Sequence, residues 1–302
     1  MSSHAPLIVD AEQLGSEQVT LARSFRSQIF RRFRSNRLAI FGLIVLLTLA
    51  FAAIFAPLIA PFEPDAIDPY AALHGPSPNH WLGTDDLGRD VFSRLVFGAR
   101  VSLLVGLFSS LIAVMAGSLI GAVAGYYGGL VDGAISRLID IALALPILPL
   151  ALVIGAFTTI TPLSLTLILG SVFWMGVARL VRGEFLTLRT AQFTEAARSV
   201  GVPNWRIILI HLLPNALAPV IVSATLLVAY AILIESALSF LGFGIQPPTA
   251  TWGNMLFNAQ RYIRDAAWLS IFPGLLITLT VTSINFLGDG LREAIDPRLK
   301  LE

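Results

Sequence analysis

The chain has 302 residues, of which 56% are hydrophobic and 13% charged, with a formal net charge of +1. Soluble domains average about 25% charged residues, so this composition excludes an ordinary soluble enzyme and reads as an all-α polytopic membrane protein. The absence of cysteine excludes disulfides, thiolate metal sites and a cysteine nucleophile.

Residues 1–20 are mixed and polar. From there Leu21, Phe25, Ile29 and Phe33 recur every four, interleaved with Arg23, Arg26, Arg31, Arg32, Arg34 and Arg37. The pattern predicts a basic amphipathic helix on the membrane surface; the simpler reading, a basic tail held in the cytoplasm by its charge, needs no partner. The first 36 residues lack the apolar core of a secretory signal, so the first apolar run is expected to act as an uncleaved anchor. An Ala-x-Ala at Ala50 to Ala52 lies inside that run, where cleavage is not expected.

A spanning helix needs about 20 mostly apolar residues. Six runs meet or approach this: Leu38 to Ala60, Val101 to Gly125, Ile139 to Thr158, Pro162 to Arg182, Ala216 to Leu238 and Ala266 to Gly288. The third is interrupted by Pro146 and Pro149, which predict a kink. With the amino terminus inside, the inner side receives the six tail arginines, Arg137, Arg179, Arg182, Arg189, Arg198, Arg206, Arg292, Arg298 and Lys300. The outer side receives only Arg89, Arg94, Arg100, Arg261 and Arg264, so both termini are predicted to be cytoplasmic.

Between the first two runs, Asp85, Asp86, Arg89 and Asp90 could be mistaken for a metal or acid–base cluster. The spacing of a calcium loop is absent and Arg89 stands among the acids as a ready partner, so a structural role is expected. In the second run Gly117, Gly121 and Gly125 leave one helix face bare, which predicts close approach of another helix. After it, Asp132, Arg137 and Asp140 are expected to pair with one another at the membrane edge. Glu235, inside the fifth run near its outer end, is a candidate pathway residue able to meet an ammonium group; hydrogen bonding to a neighbouring helix accounts for it equally well. Residues 238–256, with Gly242, Gly244, Pro247 and Pro248, predict a structured external turn.

The stretch from Thr194 to Asn215, TEAARSVGVPNWRIILIHLLPN, is polar and lies between two apolar runs. Thr190 can cap a first helix from about Ala191 to Val200, and Gly201 suits the left-handed turn after it. Phe193, Ala196, Ala197 and Val200 then share a face, and two alanines there permit close approach by another protein. Pro203 is placed to open a second helix and Pro214 to end or kink it. A plain surface hairpin, with Glu195 and Arg198 as a solvated pair, is the alternative.

Glu195-Ala196-Ala197, Gly201 and Leu213-Pro214 resemble the "EAA" loop of permease subunits of bacterial ABC importers. GTDDLGRD (83–90) is similar to the GTD-x-x-GRD signature of the dipeptide, oligopeptide and nickel branch, as are residues 238–256 and GDGLREAIDPRLK (288–300). His211 stands where an aliphatic residue is usual, and Ala250 where a proline is usual. The resemblance implies six transmembrane helices in a prokaryotic inner membrane, in contact with lipid. The expected divisions are a cytoplasmic tail (1–37), a first transmembrane helix (38–60), an external segment (61–100), a permease core (101–288) with its coupling loop at 190–214, and a cytoplasmic tail (289–302). It also implies a second, similar permease chain, two ATP-binding subunits that hold ATP and magnesium, an external solute-binding protein, no cofactor in this chain and no nucleic acid. Glu195, Ala196, Ala197, Gly201, Leu213 and Pro214 would make the ATPase-coupling contact.

The chain carries no ATPase site of its own, because a P-loop needs lysine before serine or threonine and the only lysine, Lys300, precedes Leu301. An intramembrane hydrolase is disfavoured, since His4, His74, His80 and His211 all fall outside the predicted spans. An ion-coupled carrier using Glu235 is the rival transport reading. The solute is expected to be a di- or oligopeptide, with a nickel or other metal chelate as the alternative.

Overall fold

The computed structural model describes residues 28–295, so Leu21, Phe25, Arg23 and Arg26 of the expected surface helix, and Arg298 and Lys300, lie outside the described residues. Residues 28–35 are helical. Asn36 then caps α1 (Arg37–Ile54), its side-chain oxygen accepting the Ala39 N–H at 3.0 Å. The first predicted span ran on to Ala60; the helix stops at Ile54, and a separate short turn, Ala56–Ile59, follows with Pro57 in its first turn, which has no N–H to continue the ladder.

Asp90 caps α2 (Val91–Tyr127), accepting the Ser93 N–H and hydroxyl, both at 2.8 Å. The third predicted span is two helices, α3 (Gly129–Leu143) and α4 (Ile147–Ala156), bent 86° at Pro146. Proline disfavours the helical conformation in the residue before it, so Leu145 leaves the helix and the chain turns. Thr161 and Ser164 form a capping box at the start of α5 (Pro162–Leu188). There follow α6 (Gln192–Ser199), a short turn Asn204–Arg206, a π turn Ile207–Leu212, α7 (Leu213–Phe240), α8 (Trp252–Ala259) and α9 (Trp268–Ile295). Five helices are long and apolar enough to cross a membrane, and the bent α3–α4 pair is a candidate sixth. Among the described residues there is no strand, only an isolated bridge between Thr84 and Asp90.

The most extensive helix pair is α2 with α5. The glycine stripe makes it possible. A Cβ on Gly117 would lie 2.5 Å from the Trp174 carbonyl, one on Gly125 2.5 Å from Phe185 Cβ, and one on Gly121 would collide with the Ala178 carbonyl. Contacts advance together along both chains, from 117 against 174 to 125 against 185, so α2 and α5 are parallel. The α3–α4 pair must therefore carry the chain back across the bundle between them.

The other helices fix two ends. At one, Arg100 donates to the carbonyls of Ala53 and Ile54 (3.2 and 3.1 Å), and Trp268 Nε1 donates to the Thr84 carbonyl (3.3 Å). At the other, Asn36 donates to Glu293 (2.8 Å), which ties the start of α1 to the end of α9. The hairpin between α5 and α7 projects from this second end.

Candidate functional site: the α5–α7 hairpin and the outer cap

The hairpin is built from turns that hold themselves. α5 ends at Leu188, whose carbonyl accepts the Thr194 hydroxyl at 2.8 Å and so closes the corner into α6. Thr190 does not cap α6. Its hydroxyl donates back to the Thr187 carbonyl (3.0 Å), and Ala191 occupies the N-cap without a side-chain bond.

α6 ends in a Schellman turn: Val202 N–H donates to the Ala197 carbonyl (3.1 Å) and Gly201 N–H to the Arg198 carbonyl (3.0 Å). Gly201 has φ +80, a left-handed conformation that costs other residues about 1–2 kcal/mol. The turn folds Val202 beneath Ala197, and both join an apolar cluster with Tyr126, Phe185, Ile207 and Leu212. This divides the predicted face. Thr194 and Ala197 turn inward, while Phe193 (43% exposed), Ala196 and Val200 (79% exposed) remain on the open side.

Pro203 sits at the N-cap of the next short helix, and the Tyr126 hydroxyl bonds Asn204 at 2.7 Å, fixing the second arm to the end of α2. Pro214 does not end the helix. The preceding π turn, in which Leu213 N–H reaches five residues back to the Ile208 carbonyl, widens the ladder where a proline ring would strike an α-helical carbonyl. His211 is half-buried in this π turn, and its carbonyl accepts the Asn215 amide at 2.5 Å.

The expected Glu195–Arg198 pair is not made. Arg198 lies over the Tyr126 ring, 5.1 Å from its centre, and Glu195 is exposed with no ion pair among the described residues. Trp205, 58% exposed on the same hairpin, was not singled out by sequence, because an aromatic beside a helix start carries no local signal of its exposure. Phe193, Ala196, Val200 and Trp205 therefore stand open on a segment expected in water, beside a free carboxylate. Exposed aromatic and aliphatic groups rimmed by charge are the composition of protein docking sites.

Near the same end, Asp132 and Asp140 pair across to α5 rather than with Arg137. Asp140 accepts from Arg179 (2.6 Å) and Asp132 accepts from Arg182 Nε and Nη2. The tilt of α3 against α5 brings these acids to the arginines, which a reading within one helix could not foresee.

The end predicted to be external is closed on itself. Asp85 accepts the N–H groups of Leu87 (2.9 Å) and Arg89 (3.0 Å) and the Arg89 guanidinium (2.7 Å). Arg94, buried on α2, lies 3.6 Å from the same carboxylate and 3.4 Å from Asp65. Asp90 also accepts His80 Nδ1 at 3.0 Å. The acids are thus spent on loop closure and helix capping, and among the described residues no cluster suits a metal ion.

α8, within and beyond the predicted external turn, inserts here. Thr251 and Asn254 cap each other at 3.1 Å, and fully buried Trp252 donates to the Leu95 carbonyl at 3.0 Å. Glu235 joins this assembly. It is fully buried and accepts hydroxyls from Ser239 (3.0 Å), Ser236 and Ser102 (both 3.3 Å). Ser102 also receives the Trp252 N–H at 3.4 Å. In this conformation Glu235 does not face an open pathway; with Ser236 and Ser239 of its own helix it ties α7 to α2 through Ser102, and Ser102 in turn holds the start of α8.

A bundle of helices long and apolar enough to cross a membrane, closed on itself at one end and carrying an ordered, open-faced hairpin at the other, fits an integral membrane transport subunit. The family model for the binding-protein-dependent transport system inner membrane component matches residues 117–301, and that for the N-terminal TM domain of oligopeptide transport permease C matches residues 24–76. The chain belongs to this family of ABC importer permeases.

Among its relatives, the dipeptide transport system permease protein DppC of Alkalihalophilus pseudofirmus is 44% identical over 94% of this chain and 93% of its own. The di/tripeptide transport system permease protein DppC of Pseudomonas aeruginosa is 42% identical over 90% and 92%. Among solved structures, the inward-facing MetNI methionine ABC transporter shares the fold at a TM-score of 0.57 and 22% identity, covering 68% of this chain and 97% of that one. Membership makes the chain a transport component of a bacterial inner membrane and implies ATP-binding partners.

Proposed function

We propose that this chain is one of two permease subunits of a di- or oligopeptide importer, with ATP hydrolysed in separate subunits. The observation that carries the reading is the α5–α7 hairpin. Its turns are satisfied internally, while Phe193, Ala196, Val200, Trp205 and Glu195 are left open on the side carrying most of the arginines. The peptide class is supported by the names of the relatives, a dipeptide and a di/tripeptide permease.

ATP and its magnesium are held by the motor subunits, and this chain needs no cofactor. When the motors close, α6 moves with them. The Schellman turn at Gly201 passes that movement to Val202 and the π turn, and Leu213 and Pro214 pass it to α7. Glu195 supplies charge at the contact, Ala196 supplies closeness, and Ala197 anchors the hairpin from within. The pathway, formed with a second, homologous permease, takes solute from an external binding protein and releases it inside.

The test is to purify the tagged chain from its own membranes in mild detergent and to measure ATP-dependent peptide uptake after reconstitution with its partners. Recovery of a second permease, P-loop ATPases and peptide uptake is expected. Recovery of the chain alone, under conditions that keep a control importer assembled, would overturn the reading.

A further inference from the structure

The α3–α4 break leaves backbone polar groups unpaired where lipid could not satisfy them. Among the described residues no donor reaches the carbonyls of Leu143, Ala144 or Leu145. Because α2 and α5 are parallel, the α3–α4 pair makes the return crossing, and its break falls within the bilayer rather than beyond it. The depth is marked by Tyr230: it lines the same cavity as the break, and its ring packs 5.4 Å from Phe173, near the middle of α5. Irregular backbone at such depth is tolerated only where protein or water covers it.

That cavity measures about 430 Å³, lies open on the bundle surface, and is lined by Leu143, Leu145, Pro146, Tyr230 and Ile234. It does not stand alone. Tyr230 also lines a cavity of about 230 Å³ with Phe173, Ser223 and Leu226, and the last two line a third of about 510 Å³ that ends at Arg292. Pro219, Ser223, Leu226, Tyr230 and Ile234 recur at helical spacing, so one face of α7 is open for about 22 Å. The Ser223 and Tyr230 hydroxyls on it, and the guanidinium of Arg292 on α9 at its end, have no hydrogen-bond or ionic partner among the described residues. Unpartnered hydroxyls at this depth are uncommon on a face built for lipid.

We propose that this face of α7, with the α3–α4 break, is this chain's wall of the solute pathway, and that the three carbonyls and the Tyr230 hydroxyl form a contact for N–H donors. The ligand class is a solute rich in such donors, the amide and ammonium groups of a peptide; this part rests on the peptide reading above. The three carbonyls suit the amide and ammonium donors of that solute, and the N–H groups of Ile147 and Leu148 at the uncapped start of α4, unpaired among the described residues, suit its carbonyls.

The chain has no cysteine, so single replacements report cleanly. Leu145→Cys and Tyr230→Cys would be introduced into the complete transporter in membrane vesicles and treated with a charged methanethiosulfonate. Leu119→Cys, on the outward apolar face of α2, serves as the lipid-facing control. Modification of positions 145 and 230 at least about tenfold faster than position 119 is expected, since thiol reactivity follows access to water. Peptide with its binding protein should slow both reactions several-fold. Reactivity no greater than at position 119 would overturn the pathway wall. Fast reactivity that peptide leaves unchanged, in vesicles whose parent transporter imports that peptide, would overturn the donor contact. Uptake by the parent transporter tests the peptide reading separately, so its failure is distinguishable from either result. As a second variant, Tyr230→Phe keeps the ring and should lower peptide uptake several-fold with assembly intact; unchanged uptake would remove the hydroxyl from the contact.

Discussion

The outer cap and the inner hairpin are both polar segments between apolar helices, yet they treat their side chains in opposite ways. In the cap, Asp85, Asp90, Arg89 and Arg94 are turned inward and engage one another or the backbone. In the hairpin the backbone closes on itself through Thr194 and Gly201, while Phe193, Glu195, Val200 and Trp205 stay outside the chain's own contacts. A segment that is satisfied internally stabilises the fold, whereas one that is ordered without being satisfied is prepared for a partner. The contrast predicts that cap variants change stability and hairpin variants change coupling.

The largest effects belong to the cap. Trp252→Ala removes a fully buried indole that bonds the Leu95 carbonyl, and should cost about 3–5 kcal/mol. A thermal unfolding series in detergent should show a large loss of melting temperature, with uptake per assembled transporter preserved. Asp85→Leu leaves buried Arg94 and Arg89 without their shared carboxylate, and removing one partner of a buried pair costs about 3–5 kcal/mol. Its folded yield should fall comparably, and an undiminished yield would break the description of the cap as a closed network.

Hairpin effects should be smaller in energy and sharper in function. Gly201→Val opposes the φ +80 conformation by about 1–2 kcal/mol. Uptake should drop about tenfold or more while insertion holds and the unfolding temperature falls by only a few degrees, because 1.4 kcal/mol shifts an equilibrium tenfold. Normal uptake in this variant would sink the coupling role. Phe193→Ala removes a ring that is 43% exposed, so it should weaken recovery of the ATPases in pull-downs by about 1 kcal/mol or more, with a loss of stability well below that of the cap variants.

The smallest effect is expected at Glu235. Glu235→Gln keeps the shape; its amide oxygen still accepts on one side, and on the other its NH2 donates to serine hydroxyls that rotate to accept. Stability should shift by under about 1.5 kcal/mol, the ordinary worth of a hydrogen bond, and solute preference should be unaltered. A changed preference would return Glu235 to the pathway.

Much of this was legible in the amino-acid order, because apolar length, proline, glycine spacing and arginine bias act over one helix or one loop. They determined the number of apolar runs, the kink at Pro146, the bare face at Gly117, Gly121 and Gly125, and the left-handed stop at Gly201. The motif from Glu195 to Pro214 pointed to the family before any helix was placed. Tertiary structure alone decided which partner each charge took and which face of each helix stayed open. Asp132 and Asp140 reach arginines on α5, Ala197 turns in while Ala196 stays out, and Glu235 is enclosed by hydroxyls from α2 and α7. The physical reason is range: a helix repeats every 3.6 residues and encodes its own faces, but the rotation of one helix against another is set by packing among residues far apart in the chain.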